Sequence, residues 1–154
     1  MQEIKYEIKL IATEINGLLN RYIEIHNSVF KFSWRKAIPL PFFFKPINFD
    51  SLHNKAEQIL SELSSSNKRI TLLLEYINQK ESHFAHFLSE YCTALMETVS
   101  LLKRILYQLY LKSENSNEYN LDEHNKMLKL YKEAVNRYSA MGSRLNELYI
   151  EFIE

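Results

Sequence analysis

The sequence predicts an all-α protein, a four-helix bundle of up-down-up-down topology, and three observations lead to that fold class. Only two glycines and three prolines occur among 154 residues, so the chain has little of the chemistry that makes turns. Four stretches of similar length carry apolar residues at alternating steps of four and three. Hydrophobic residues make up 46% and charged residues 25% of the chain, which is near the globular average. We therefore expect one packed domain over residues 1–154.

The first helix is predicted over about residues 3–30. Apolar side chains that recur at steps of four and three form one stripe along a helix, as in helices that pack side by side in a bundle. Here the stripe consists of Ile4, Ile8, Ile11, Ile15, Leu18, Tyr22, Ile25 and Val29.

A long connection, residues 31–49, follows the first helix. Its three prolines, Pro39, Pro41 and Pro46, prevent a continuous helix and favour extended backbone. An extended chain of this length would reach some 60 Å at ~3.3 Å per residue. A parallel first pair of helices is therefore an alternative to the antiparallel pair of an up-down-up-down bundle.

The second helix is predicted over about residues 50–78, with Asp50 as its N-cap. Its apolar stripe has one polar interruption, Ser66. The sequence SSSN at 64–67 is an alternative end for this helix. We prefer a break near residue 80, because it divides the chain into four helices of nearly equal length that can cover one another's apolar stripes.

The third and fourth helices are predicted over about residues 82–113 and 120–153. The polar sequence SENSNEYN between them predicts a turn. Asn120 and Glu123 have the spacing of a capping box, in which each end residue satisfies a backbone N–H of the other.

Composition narrows the classes of function. Nineteen basic and nineteen acidic residues balance, so bulk electrostatic binding to nucleic acid is not expected. No apolar run approaches the ~18 residues of a membrane span, and acids at Glu3, Glu7 and Glu14 are unlike a secretory signal. These features predict a cytoplasmic protein.

Arg21 and His26 lie within the sequence RYIEIH. This R-x4-H spacing resembles the motif of HEPN-type ribonucleases, which are also small helical bundles. The resemblance implies that the arginine and the imidazole would act on one phosphodiester of RNA. Five helical residues at 100° each, however, place the two side chains about 140° apart, on opposite sides of the apolar stripe. Structural roles for both residues are therefore preferred, with a HEPN-like ribonuclease as the alternative function.

Two groups of histidines are candidate metal ligands. His83, His86 and Glu90 share one narrow arc of the third helix, but that arc is opposite the apolar stripe and faces water. In an up-down-up-down bundle three other histidines come to one end, and His124, which lies in the fourth apolar stripe, is expected to bond a neighbouring backbone group. These are His26, His53 and His124. We expect no functional metal site.

Other residues that could carry chemistry are few. Cys92 is predicted to be a buried, unreactive thiol. Gly142 lies in the fourth apolar stripe, where we expect it to allow a close approach of helices opposite a large aromatic side chain, with a small ligand cleft as the alternative. The chain has neither a phosphate-binding glycine loop nor a nucleophile motif. No cofactor is predicted, and the function is expected to be binding rather than catalysis.

The best candidate for a binding surface is the connection at 31–49. It is rich in aromatic and basic residues, the types that dominate binding hot spots, and its prolines lower the cost of ordering it. The predicted partner-binding residues are Trp34, Arg35, Lys36, Phe42, Phe43, Phe44 and Lys45. The function predicted is docking of a protein partner.

Alternatives for the same segment remain open. The segment could fold back over the bundle, attach to an anionic membrane surface, or stack single-stranded nucleic acid on its aromatic rings. A homodimer is a further alternative for the partner. In the docking hypothesis Phe30, Phe32 and Phe49 are pinned to the bundle, and Trp34 is presented to the partner.

Overall fold

A computed structural model of the protein describes residues 2–31, 47–77 and 79–154, and over these residues the chain forms four α-helices and no strands. They are α1 (Gln2–Phe30), α2 (Phe49–Leu74), α3 (Gln79–Ser113) and α4 (Leu121–Ile153). The predicted all-α four-helix bundle is confirmed.

Neighbouring helices run antiparallel. Arg21, late in α1, pairs with Glu62 in the middle of α2, whereas Glu7, early in α1, pairs with Arg69 near the end of α2. The alternative of a parallel first pair is therefore wrong. The same reversed order relates α2 to α3, in which Leu63 contacts Cys92 and Glu57 pairs with Lys103. It also relates α3 to α4, in which Glu97 pairs with Arg137 and Phe84 stacks on Phe152.

The core lies along the inward faces of all four helices. Helix α3 is central, because it packs against each of the other three. In contrast, the backbones of α1 and α4 do not approach closely: no Cα atom of α1 comes within 8 Å of a Cα atom of α4, although both helices are described over their full lengths. Fully buried side chains include Ile8, Ile11 and Ile15 of α1, Ile59, Leu63 and Ile70 of α2, and Leu88, Leu95, Leu102, Ile105 and Leu106 of α3.

The N-terminus of α2 differs from its prediction. Asn48, rather than Asp50, is the N-cap, since its side-chain oxygen accepts a hydrogen bond of 2.9 Å from the backbone N–H of Ser51. Asp50 lies in the first turn, where its negative charge is favourable near the positive end of the helix dipole.

Helix α2 passes through residues 64–67 without a break, so the alternative boundary there is wrong. Ser66 is buried in the core face even though it is polar. The helix ends at Leu74, four residues before its predicted end. The backbone N–H of Tyr76 donates to the carbonyl oxygen of Leu73 at 3.0 Å, which tightens this last turn.

The end of α3 has a left-handed residue. Asn115 has a φ of 52°, a conformation that asparagine tolerates better than most residues. Its N–H donates to the carbonyl oxygen of Lys112 at 3.2 Å, and the N–H of Ser116 donates to that of Leu111 at 3.0 Å. This pair of bonds is a Schellman motif, which ends a helix without glycine by using asparagine.

Half of the predicted capping box is present at the start of α4. The side-chain oxygen of Asn120 accepts a hydrogen bond of 3.0 Å from the N–H of Glu123. The reciprocal bond is replaced: the Glu123 carboxylate pairs with Arg104, and the N–H of Asn120 donates to Gln108.

Candidate functional site

The residues that were predicted to bind a partner lie outside the described residues. They are Trp34, Arg35, Lys36, Phe42, Phe43, Phe44 and Lys45. The structure describes the two ends of their segment, Lys31 after α1 and Ile47 before α2.

Both ends of the connection are anchored to the bundle by a phenylalanine. The ring of Phe30 stacks on that of Tyr131 in α4, with centroids 5.5 Å apart. Phe49 packs against the buried core in the first turn of α2. Both side chains were predicted to be pinned in this way, whereas Phe32 lies outside the described residues.

A groove of about 560 Å³ lies where α1 ends and α2 begins. Lys31 and Ile47, the two ends of the connection, both line it, together with Lys55 on the second turn of α2. Of the described residues that line the groove, the charged ones are both lysines. The groove is therefore basic and is lined by the described residues on both sides of the aromatic segment.

A cluster of polar aromatic side chains bridges α1 and α4 near this end of the bundle. The hydroxyl oxygens of Tyr22 and Tyr131 are 2.6 Å apart, and Nδ1 of His26 lies 2.7 Å from the same Tyr131 hydroxyl. The ring of Tyr138 meets that of Tyr22 edge to face at 5.7 Å. These side chains span a gap that the two backbones leave open.

Burial controls the ionisation of this cluster. It raises the pKa values of the Tyr22 and Tyr131 hydroxyls well above the ordinary value for tyrosine. Tyr131 and Tyr138 raise the pKa of Tyr22 further, whereas the hydrogen bond with Tyr22 partly offsets the rise at Tyr131. Burial, together with the charge of Lys31, lowers the pKa of His26. Both hydroxyls therefore keep their protons at neutral pH, and the cluster serves to join α1 to α4.

The side chains of the R-x4-H motif have separate partners. Arg21 donates to the Glu62 carboxylate of α2 at 2.9 Å. His26 bonds to Tyr131 of α4 on the other side of α1. The structure thus places the two side chains on opposite sides of the helix, as their spacing predicted, and does not bring them together.

The arc formed by His83, His86 and Glu90 is exposed, as predicted. Within residues 2–31, 47–77 and 79–154, no three histidine, cysteine or acidic side chains are arranged to hold a metal ion.

His124 differs from its prediction. It is buried in the first turn of α4, but its Nδ1 has no hydrogen-bond partner among the described residues. Its ring instead meets that of Tyr119 edge to face at 5.9 Å. Burial and the charge of Lys112 lower the pKa of this imidazole, so the neutral form is favoured.

Cys92 is buried, as predicted. Its Sγ lies 3.5 Å from the carbonyl oxygen of Leu63. Burial raises the pKa of the thiol to about 12, so the nucleophilic thiolate is scarce at neutral pH.

A cleft of about 390 Å³ opens between α1 and α4. Two small residues, Ala12 and Gly142, lie on its opposite walls, and Phe84, Leu88 and Tyr91 of α3 line its floor. A Cβ at Gly142 would lie 3.8 Å from the ring of Tyr91, so the large aromatic neighbour that we expected is present. Gly142 does not bring α4 close to α1, since no Cα atoms of these two helices lie within 8 Å of each other.

None of the helices described in this chain is long and apolar enough to cross a lipid bilayer. No protein-family model, curated protein or solved structure matches the sequence, so the geometry of the described residues alone supports a choice of function.

Proposed function

We propose that the protein is a non-catalytic binding module that docks an acidic segment of a protein partner through its connection at 31–49. The observation that carries this proposal is the basic groove between the ends of α1 and α2, which Lys31 and Ile47 line from the two ends of that connection. The aromatic residues of the connection and the lysines of the groove would form one surface.

The charges support an acidic partner. Lys31 and Lys55 line the groove, and the sequence between Lys31 and Ile47 adds Arg35, Lys36 and Lys45 without an acidic residue. The chain as a whole is neutral. Concentration of positive charge in this part of the sequence favours an oriented encounter with an acidic segment.

The anchored ends favour binding by the connection, because both of its ends are held by the bundle before a partner arrives. Phe30 and Phe49 are held by the bundle on either side of the connection. Anchoring reduces the conformational entropy that the intervening aromatic residues would lose on binding. Burial of one exposed phenylalanine contributes roughly 1.5–3 kcal/mol, so two such side chains suffice for a useful contact.

The test uses the intact protein and a partner purified after affinity capture. The partner is titrated against wild type, the double variant Trp34→Ala/Phe43→Ala and the double variant Lys31→Glu/Lys55→Glu. We expect each double variant to bind at least about tenfold more weakly, and we expect salt to weaken wild-type binding. Lys126→Glu, an exposed change on α4, is the matched control and should bind as wild type does.

Fluorescence of Trp34, the only tryptophan in the chain, separates the alternatives. A blue-shifted spectrum that acrylamide cannot quench in the free protein would mean that the connection is part of the core, and the proposal would fail. A blue shift that appears with anionic phosphatidylserine vesicles, but not with the purified partner, would support the membrane alternative instead.

A further inference from the structure

The cleft between α1 and α4 persists because bulky side chains keep the two helices apart. Tyr22 of α1 spans the gap to Tyr131 and Tyr138 of α4. Where the gap continues toward the N-terminus of α1, the facing residues include the small Ala12 and Gly142, and the side chains there do not fill it. The result is an unfilled volume of about 390 Å³ beside the core.

Side chains close the cleft at both ends. The ammonium group of Lys5 lies over the ring of Phe152, 5.2 Å from its centroid, beyond one end. The rings of Tyr22 and Tyr138 meet beyond the other end. A helix from a partner, which is ~10–12 Å across, would need a groove that continues past both closures. A pocket closed at both ends suits a small molecule instead.

The lining indicates the chemistry of that molecule. None of the described residues that line the cleft carries a charged side chain. The floor is apolar and aromatic, while Thr13, Asn16 and Asn146 supply hydroxyl and amide groups. The volume is at the small end of the ~300–1,000 Å³ of ligand pockets, which often lie between the helices of bundles.

We propose that this cleft binds a small, uncharged, mostly apolar molecule that carries a hydrogen-bonding group. The apolar part lies against Leu88 and Tyr91, and the polar group faces the asparagine amides. Removal of apolar area from water supplies the affinity, and an ionised ligand is disfavoured because no charged group in the lining would compensate its desolvation. The site is separate from the docking surface at 31–49 and does not depend on it.

The test uses Prodan, a neutral naphthalene ketone whose fluorescence shifts to the blue in apolar surroundings. We expect saturable binding of one probe per chain to wild type. Gly142→Leu places a branched side chain on the cleft wall and should weaken binding at least tenfold. Gly17→Leu is the matched control, because a Cβ at Gly17 has nothing within 4 Å, and it should bind as wild type does.

Ala12→Leu fills the cleft from the opposite wall and provides a second variant should Gly142→Leu not fold, as judged by circular dichroism. Unchanged binding in a folded cleft-filling variant would overturn the proposal, and would indicate that the probe binds elsewhere, for example on the aromatic connection. Equal competition by the anionic probe anilinonaphthalene sulfonate would contradict an uncharged ligand. Loss of probe binding on formation of a dimer, measured by sedimentation, would assign the cleft to a second copy of the chain instead.

Discussion

The hydroxyl oxygens of Tyr22 and Tyr131 lie 2.6 Å apart and join α1 to α4, two helices whose Cα atoms stay more than 8 Å from each other. Tyr131 is the centre of this contact, since its hydroxyl also bonds to His26. Removal of the Tyr131 hydroxyl should therefore lower the free energy of unfolding more than removal of the Tyr22 hydroxyl.

Tyr22→Phe leaves the Tyr131 hydroxyl bonded to His26, so we expect a loss of about 1 kcal/mol in the free energy of unfolding. Tyr131→Phe leaves both the Tyr22 hydroxyl and His26 without this partner, and we expect about 2–3 kcal/mol. Urea unfolding of the two variants measures both values, and their double variant gives the coupling. Equal losses in the two single variants would show that the His26 contact contributes nothing.

The stability of the fold should depend on pH through His26 and His124. Both folded-state pKa values are lowered, first by burial, whereas the unfolded imidazole titrates near pH 6.5. As the pH falls below about 6.5, the unfolded chain binds protons before the folded chain does, which favours unfolding. The free energy of unfolding is therefore greatest above this pH and should decrease from about pH 7 to pH 5.

The double variant His26→Gln/His124→Gln should lose less unfolding free energy between about pH 7 and pH 5 than wild type does. Each single variant should show part of this effect. Denaturant unfolding at a series of pH values measures the effect. A wild-type stability that stays constant or increases as the pH falls over this interval would contradict the assignment.

Replacement of either glycine by alanine should stabilise the protein. Gly17 and Gly142 lie inside helices, where alanine is favoured by about 0.5–1 kcal/mol. A Cβ at Gly17 meets nothing within 4 Å, and one at Gly142 makes ordinary contact with the Tyr91 ring at 3.8 Å. Thermal unfolding of Gly17→Ala and Gly142→Ala should give higher melting temperatures. A destabilised Gly142→Ala with a stabilised Gly17→Ala would mean that the cleft wall is more tightly packed than its geometry indicates.

A charge in the centre of α3 should unfold the protein. Leu102 is fully buried, so Leu102→Asp would leave a carboxylate in the core without a compensating partner. We expect a loss of more than about 4 kcal/mol. Leu72→Asp is the matched control, because Leu72 is 62% exposed, and it should change stability by about 0.5 kcal/mol or less. Cooperative melting of Leu102→Asp near the wild-type temperature would contradict the core assignment.

Purified protein should not cleave RNA. Arg21 and His26 contact different helices, so we do not expect them to act on one phosphodiester within a single chain. Incubation with structured and unstructured RNA, analysed on denaturing gels, tests this expectation. Cleavage by wild type that disappears in His26→Ala would promote the ribonuclease alternative.

Much of the fold could be predicted from the sequence, because the positions of apolar residues determine which face of each helix can be buried. The start of α2 was harder to predict, since Asn48 and Asp50 are both good N-caps, and only the structure shows that Asn48 has the extended backbone of the cap while Asp50 is already helical. The spacing of α1 and α4 could not be predicted. It depends on which side chains of two similar apolar stripes meet, and the pairing of Tyr22 with Tyr131 emerges only from the packed structure.

The central position of α3 has a consequence for how the chain folds. Its close packing is with α2 and α4, its neighbours along the sequence, while α1 contacts α2 and α3 but reaches α4 only through side chains. Contacts between sequence neighbours form quickly because little loop entropy is lost. The last three helices should therefore assemble into a folding nucleus to which α1 adds late, across the longest connection in the chain. In the native state the amide protons of α1 should exchange with solvent sooner than those of α3.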